Sequence, residues 1–204
     1  LMFNRFSSYR PSGLLLQKHM GSGKNAGFSV NPSGTHQGLF CLFDDLANAA
    51  QFLKDSPLLA WYRDHAQELF LVKLRAYSVK GKWSGHQLTE SLSAPPSGPI
   101  ASLTRASIKP LNAISFWSKA PPAEIDLQAT PGCLISAGVG EAPILRQATF
   151  TIWESQAAMD SYARSGAHLA AIKAAMQGNY FSESMFVRFQ PFDAEGTWKG
   201  KQLD

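Results

Sequence analysis

Two stretches of about 100 residues repeat one another, and that duplication restricts the fold more than any other property of the chain. Gln37, Phe40, Phe43, Asp44 and Ala47 fall opposite Gln147, Phe150, Trp153, Glu154 and Ala157 at one constant offset. Gly13 and Gly21 answer Gly132 and Gly140, and Trp83-Ser84-Gly85 answers Trp198-Lys199-Gly200. The order of elements repeats too. Strand-like runs occupy residues 1–8, 13–20, 37–43 and 69–79, then 101–109, 133–138, 144–153 and 184–192. Helical patterns cover 44–66, with Pro57 as a break or restart, then 111–128, disturbed at Pro121-Pro122, and 154–176. The complete unit reads β-α-β-β-α-β, the split pattern of ferredoxin-like folds. One such unit leaves a sheet face in need of cover, and two tandem copies can bury those faces against each other. The expected fold is therefore α+β: two tandem ferredoxin-like repeats forming an intrachain pseudo-dimeric α+β barrel. Residues 1–90 make the first repeat, the Pro- and Ser-rich segment 91–100 a linker, and residues 101–204 the second repeat.

The first repeat departs from this pattern. Its first two strands are separated only near Arg10-Pro11, whereas a crossover helix needs about 10–12 residues. Either the first repeat has lost that helix or residues near Arg10-Pro11 are missing from the sequence; the second is the expectation, together with a true N-terminus before Leu1.

Composition removes several function classes. Hydrophobic residues make up 45% of the 204 and charged residues 17%, as in a folded globular chain. The net charge of +4 is spread without a Lys/Arg block, which argues against nucleic-acid binding. No apolar run approaches the ~20 residues of a membrane-spanning helix, and no secretory signal is visible. The default location is cytoplasmic. Cys41 and Cys133 lie far apart in apolar runs and read as reduced core residues. Gly21-Ser22-Gly23-Lys24 lacks the spacing of a phosphate loop. His19, His36, His65 and His86 show no zinc-type spacing with cysteines or carboxylates.

His168 stands apart from those four. It lies in the helical stretch 162–176, where Leu169, Ile172 and Met176 suggest a buried stripe, among Ala167, Ala170, Ala171, Ala174 and Ala175. The duplication supplies an internal control. Aligning Ser56 with Ser165 puts Leu59 opposite His168, Trp61 opposite Ala170 and Tyr62 opposite Ala171. The first repeat is expected to fill the space between helix and sheet with its own side chains. The second leaves that space open beneath an imidazole, with Ala170 and Ala171 paving room for a large flat cofactor.

The C-terminal repeat resembles a known family. The resemblance is carried by Ala106-Ser107-Ile108-Lys109-Pro110, Phe116-Trp117, Pro131-Gly132 and Gly138-Val139-Gly140-Glu141-Ala142-Pro143. It continues through Gln147-Ala148-Thr149-Phe150-Thr151-Ile152-Trp153, His168-Leu169-Ala170-Ala171-Ile172 and Phe186-Val187-Arg188-Phe189. Together these are similar to the spheroidene monooxygenase family, closely over residues 101–200 and loosely before them. The resemblance implies keto-group introduction into acyclic carotenoids and an association with haem. It also implies an α+β barrel superfamily in which several members hold haem through a histidine on the helix after the third strand, the place His168 would take.

On that basis His168 is the expected metal ligand and Ala170 and Ala171 line the haem. Arg164, Arg146 and Arg188 are the candidate partners for its propionates. A neutral imidazole suits haem iron, and its second nitrogen should find an acceptor. Gln147 is the candidate catalytic residue if the polar face of strand 144–153 (Gln147, Thr149, Thr151) lines the barrel; otherwise Ala148, Phe150 and Ile152 line it. Expected partners are a small hydrophobic substrate and, for an oxygenase, an external electron-donor protein, since no flavin or iron–sulfur motif is present. A second copy of the chain and peripheral contact with a membrane complete the expectations. A haem dehydratase or peroxidase, and a non-enzymatic barrel for an apolar ligand, stay open as alternatives.

Overall fold

The computed structural model describes residues 9–24, 27, 29, 31–118, 127 and 129–203. The strand expected at 1–8 and most of the second half of the helix expected at 111–128 lie outside the described residues. Among the described residues seven strands form one antiparallel sheet. They are β1 (Leu14–Gly23), β2 (Pro32–Phe43), β3 (Phe70–Gly81), β4 (Ile100–Ile108), β5 (Cys133–Ala142), β6 (Arg146–Trp153) and β7 (Phe181–Gly196). Their spatial order is β2-β1-β5-β6-β4-β7-β3. The helices are α1 (Leu46–Asp55), α2 (Pro57–His65), α3 (Ala113–Trp117, entered by a 3-10 turn at Pro110–Asn112), α4 (Gln156–Ala163) and α5 (Gly166–Gln177).

Local chemistry places most of the helix starts. The side chains of Asp45, Ser56 and Ser155 accept from the backbone N–H groups of Asn48, Leu59 and Ala158, capping α1, α2 and α4. Pro57 opens α2 at its first turn, where its missing N–H costs nothing.

The sheet is curled. β2 and β3 stand at opposite ends of the strand order, yet Phe40 of β2 stacks on Trp83, just past β3, at 5.2 Å. Alternation then gives each strand an inner and an outer set of side chains. Leu16 and Met20, Ala76, Ala101 and Leu103, Ile135 and Val139, Ala148 and Ile152, and Met185, Val187 and Phe189 form one inner core. Tyr77, Ile100, Leu127, Trp153 and Met159 form a smaller outer core beneath α4. The result is an α+β fold with helices on the outside of a curled antiparallel sheet.

Two glycines end the β3–β7 ladder, where Gly81 pairs with Met185 and Phe70 pairs with Gly196. Both have positive φ, and a Cβ on either would sit 2.0 Å from a carbonyl oxygen, that of Ser184 or Leu69. Only glycine meets both demands.

Several expectations are corrected. β1 and β5 do not close at Gly21-Ser22-Gly23 and Val139-Gly140. These residues pair with each other across the sheet, Gly21 with Gly140 and Ser22 with Val139. β2 begins at Pro32 rather than Gln37, and β7 spans Phe181–Gly196 rather than 184–192. The helix expected over 154–176 is two helices, because Ser165 is extended (φ −134°, ψ 171°) and Gly166 has φ 56°. His168 therefore sits in the first turn of α5, not in mid-helix. Met176 is 77% exposed and does not belong to a buried stripe; Ala175 is the buried residue at that end.

Candidate functional site

The outer face carries the histidine. Trp153 ends β6, fully buried, with its indole N–H donating to Thr151 Oγ1 at 2.8 Å. Tyr162 of α4 packs on Trp153 with ring centroids 5.4 Å apart, and His168 packs on Tyr162 at 4.6 Å. The kink at Ser165 folds α5 back so that His168 meets this aromatic pair. Burial lowers the His168 pKa, an effect the nearby Ala163 carbonyl partly opposes, so the ring is neutral at pH 7. Its Nδ1 is buried and meets no partner at hydrogen-bonding geometry. Ala171 is half-buried and Ala170 is exposed. In the other copy, Leu59 is 3% exposed, Tyr62 donates to Gln37 Oε1 at 2.7 Å, and Trp61 stacks on His65 at 4.5 Å.

The three candidate arginines divide. Arg188 on the outer face of β7 reaches Asp160 of α4 at 2.9 Å, and exposed Arg164 reaches the other oxygen of the same carboxylate at 3.6 Å. Both lie on the His168 side of the sheet, joined by a carboxylate that spacing alone did not single out. Arg146 is exposed at the start of β6, whose other end, about 24 Å away, holds Trp153. The structure does not gather Arg146 with the other two. On β6 it is Ala148, Phe150 and Ile152 that join the inner core. Gln147 lies on the opposite face and donates to the Ala142 carbonyl at 3.2 Å.

The inner face holds a cluster absent from the sequence expectations. Arg105 of β4 is only 3% exposed, and its guanidinium forks onto Glu183 of β7 and Glu141 of β5. Glu141 also accepts from Lys18 of β1 at 3.0 Å and from the Trp83 indole N–H at 2.8 Å. Glu183 accepts from the backbone N–H groups of Ser84 and Gly85 at 2.9 and 3.0 Å. Lys18 donates to Ser84 Oγ at 2.7 Å. The cluster thus ties four strands to the Trp83-Ser84-Gly85 turn. One signal in the sequence could have found it: Arg105 continues the alternation set by Ala101 and Leu103, a charge at an inward position of a buried strand.

Trp83 is completely buried in this cluster. Trp83→Ala opens a large cavity and strips one donor from Glu141, so it should cost about 3–5 kcal/mol. Trp83→Phe, which keeps most of the volume, should cost about half as much. Urea unfolding of the two variants measures the difference, and equal losses would show that volume is not what matters.

The two carboxylates set a pH dependence. Burial works to raise the Glu141 pKa, but the Trp83 indole, Lys18 and Arg105 outweigh it and hold the group low. Burial is likewise outweighed at Glu183 by the Ser84 and Gly85 amides and Arg105. A lowered folded pKa gives stability that is full above the unfolded value and lost as pH falls through the folded one. His168 and His19, both lowered by burial, act in the same direction from about pH 6.5 downward. Stability should be level above about pH 7, sag gently below it and fall steeply below about 4.5. Urea midpoints from pH 3 to 8 test this, and Glu141→Gln should shrink the acid limb.

The cysteines offer no further chemistry. Both are free, and burial pushes the thiols up to about 12 at Cys41 and about 11 at Cys133, so neither is a nucleophile at neutral pH. Among the described residues no three His, Cys, Asp or Glu side chains group to hold a metal ion. No helix among them is long and apolar enough to cross a membrane.

Fold and site together define a curled-sheet α+β protein with a charge-pinned interior and a half-buried neutral histidine on an outer helix. No family model matches the chain. Three curated relatives do. It is 50% identical over 190 residues to the spheroidene monooxygenase of Rubrivivax gelatinosus, covering 93% of this chain and 73% of that one. It is 35% identical over 188 residues to the Rhodobacter capsulatus protein of the same name, covering 90% and 78%. With the Cereibacter sphaeroides one it shares 34% over 187 residues, covering 90% of this chain and 58% of the longer relative. The chain belongs to the spheroidene monooxygenase family. Among solved structures, an anthrone oxidase-like protein aligns with a TM-score of 0.38 and 13% identity, over 99% of this chain and 86% of that one. Likeness at that level carries no functional weight.

Proposed function

We propose that this chain is a monooxygenase acting on a carotenoid, with haem bound at His168. The observation that carries the first part is the 50% identity over 93% of the chain to a spheroidene monooxygenase. The haem part rests on His168, whose ring is neutral and whose buried Nδ1 meets no partner at good hydrogen-bond geometry, the Ala163 carbonyl acting on the ring only from nearby. Neutral imidazole is the form that ligates haem iron, and an under-satisfied buried nitrogen is a cost the fold carries. Haem, when bound, supplies the oxygen chemistry. The chain's part is to hold and orient it: Tyr162 fixes the plane of the imidazole, and Arg164 and Arg188 offer positive charge to carboxylates at the rim. Each monooxygenation puts one oxygen atom of O2 into substrate and reduces the other to water with two electrons and two protons, so a CH2 group reaches the keto level in two rounds, through an alcohol and then a gem-diol that loses water. Those electrons come from an external donor protein.

The finer reading of the fold, two repeats closed as a pseudo-dimer, belongs to the same proposal. It is supported by reciprocal holds at matching positions. Glu183 grips the amides of Ser84 and Gly85, and Glu68 grips those of Lys199 and Gly200 at 2.8 and 2.7 Å. Asp44 N–H donates to the Gly13 carbonyl just as Glu154 N–H donates to that of Gly132, both at 2.9 Å.

The test is a titration with haem followed by turnover of spheroidene with and without a reductant. A Soret band and donor-dependent, O2-dependent keto product support the proposal. Oxygenated product without any Soret band would remove haem and keep the oxygenase. Turnover independent of a donor would replace it with a dehydratase or peroxidase.

A further inference from the structure

We infer that the corner of the molecule built from α3, the β5–β6 turn and the C-terminal end of α5 is a docking surface for an anionic lipid membrane. Four large apolar side chains face water there. Leu111 is 98% exposed, Ile114 87%, Met176 77% and Ile144 43%. They come from three separate segments that are stitched together. The Trp117 indole donates to the Ile144 carbonyl at 2.9 Å, and the Asn112 side chain donates to the Asn179 carbonyl at 3.3 Å. Phe116 meets Phe181 edge-on at 5.9 Å, and Asn179 N–H donates to the Met176 carbonyl at 3.3 Å. Leu111 and Ile114 are three residues apart across one turn and share a face. A cluster of such side chains left in water marks a surface meant to be covered.

Charge identifies the cover. Lys109 precedes the 3-10 turn, Arg146 follows Ile144 by two residues, and Lys173 lies one helical turn before Met176. Among the described residues of this corner, segments 107–118, 142–150 and 166–182, no Asp or Glu occurs. Exposed aliphatic side chains ringed by cations, with an indole at the edge, match the requirements of an interface with acidic headgroups. A protein partner of ordinary surface would not call for an acid-free rim. The inference draws on the proposed substrate class in one respect only: a carotenoid is dissolved in a bilayer, and an enzyme that acts on it gains by resting there.

The experiment is co-sedimentation with vesicles of phosphatidylcholine alone and with a third phosphatidylglycerol, at low and high salt, for the wild type, Leu111→Asp/Ile114→Asp and Lys173→Glu. Wild type should bind the anionic vesicles, weaken with salt and bind the neutral ones poorly. The double variant should bind at least about tenfold more weakly and Lys173→Glu several-fold more weakly. Thermal unfolding should leave the double variant within a few degrees of wild type, because both side chains are exposed. A large drop would show that the chain's own residues cover them, and would overturn the inference. So would equal binding by the double variant, or concentration-dependent dimers lost in that variant without vesicle binding. Turnover of detergent-dissolved spheroidene separates this inference from the proposed function. Activity there should be the same in wild type and the double variant, whereas failure of the oxygenase reading would leave wild type inactive in detergent as well.

Discussion

His168→Ala is expected to abolish the haem Soret band while leaving the fold within about 1 kcal/mol of wild type. The two outcomes come from the same local geometry. His168 contributes a half-buried ring against Tyr162 at 4.6 Å, a contact worth about 0.5–1.5 kcal/mol. Its removal also removes an under-satisfied buried nitrogen, which returns part of that loss. Trp153 keeps its hold on Thr151 and Tyr162 without the imidazole. Binding is another matter, because under the proposed function His168 would hold the haem iron, and a methyl group could not. Exogenous imidazole should restore the band in the variant, filling the space the side chain left. A band of unchanged intensity in His168→Ala would move the ligand elsewhere, and circular dichroism would show whether the fold was intact when it did.

Arg105→Met should cost about 3 kcal/mol of stability, the largest loss expected from deleting one charge of the inner-face cluster. Methionine keeps most of the stem volume and deletes the charge. Glu141 retains Lys18 and the Trp83 indole, and Glu183 retains the two turn amides. Both carboxylates nonetheless lose the cation between them, and Glu141 has only 13% of its side chain in water. Glu183, at 28%, is partly screened, which keeps the figure at the lower end of the usual range for a broken buried pair. Arg105→Lys should recover only part of the loss, because one ammonium cannot fork onto two carboxylates on different strands. The Glu141 pKa should rise in Arg105→Met, so the acid limb of the stability curve begins at higher pH. Combining Arg105→Met with Trp83→Ala should cost less than the two single losses together, since both act on Glu141. Strict additivity would show that the cluster is not a single unit.

How much of this was legible differs by face. Caps and breakers are local, so the restart at Pro57 follows from chemistry within a few residues, whereas the strand ends at Gly81 and Gly196 were not legible, because those glycines answer to the carbonyls of Ser184 and Leu69, far away along the chain. The kink at Ser165 was missed, although Ser165-Gly166 carries its signal, because alanine-rich periodicity on both sides suggested one continuous helix. The stripe through Met176 failed for the same reason. Periodicity reports which residues share a face, but not whether that face meets a sheet or water.

The charged cluster marks the boundary between the two sources of information. The sequence by itself determined the alternation within each strand and much of the order of elements, because those depend on neighbours along the chain. It also set His168 opposite Leu59 in the internal match of the two halves, a comparison that needs no coordinates. Only the tertiary structure decided which side of each strand turns inward, since the curl of the sheet and the bulges in β3 and β5 set that. Lys18, Arg105, Glu141 and Glu183 lie on four strands, and the first and last are separated by most of the chain. Coulomb attraction and indole geometry hold them together only in a sheet that Phe40 and Trp83 close, a contact between its two ends that no local pattern encodes.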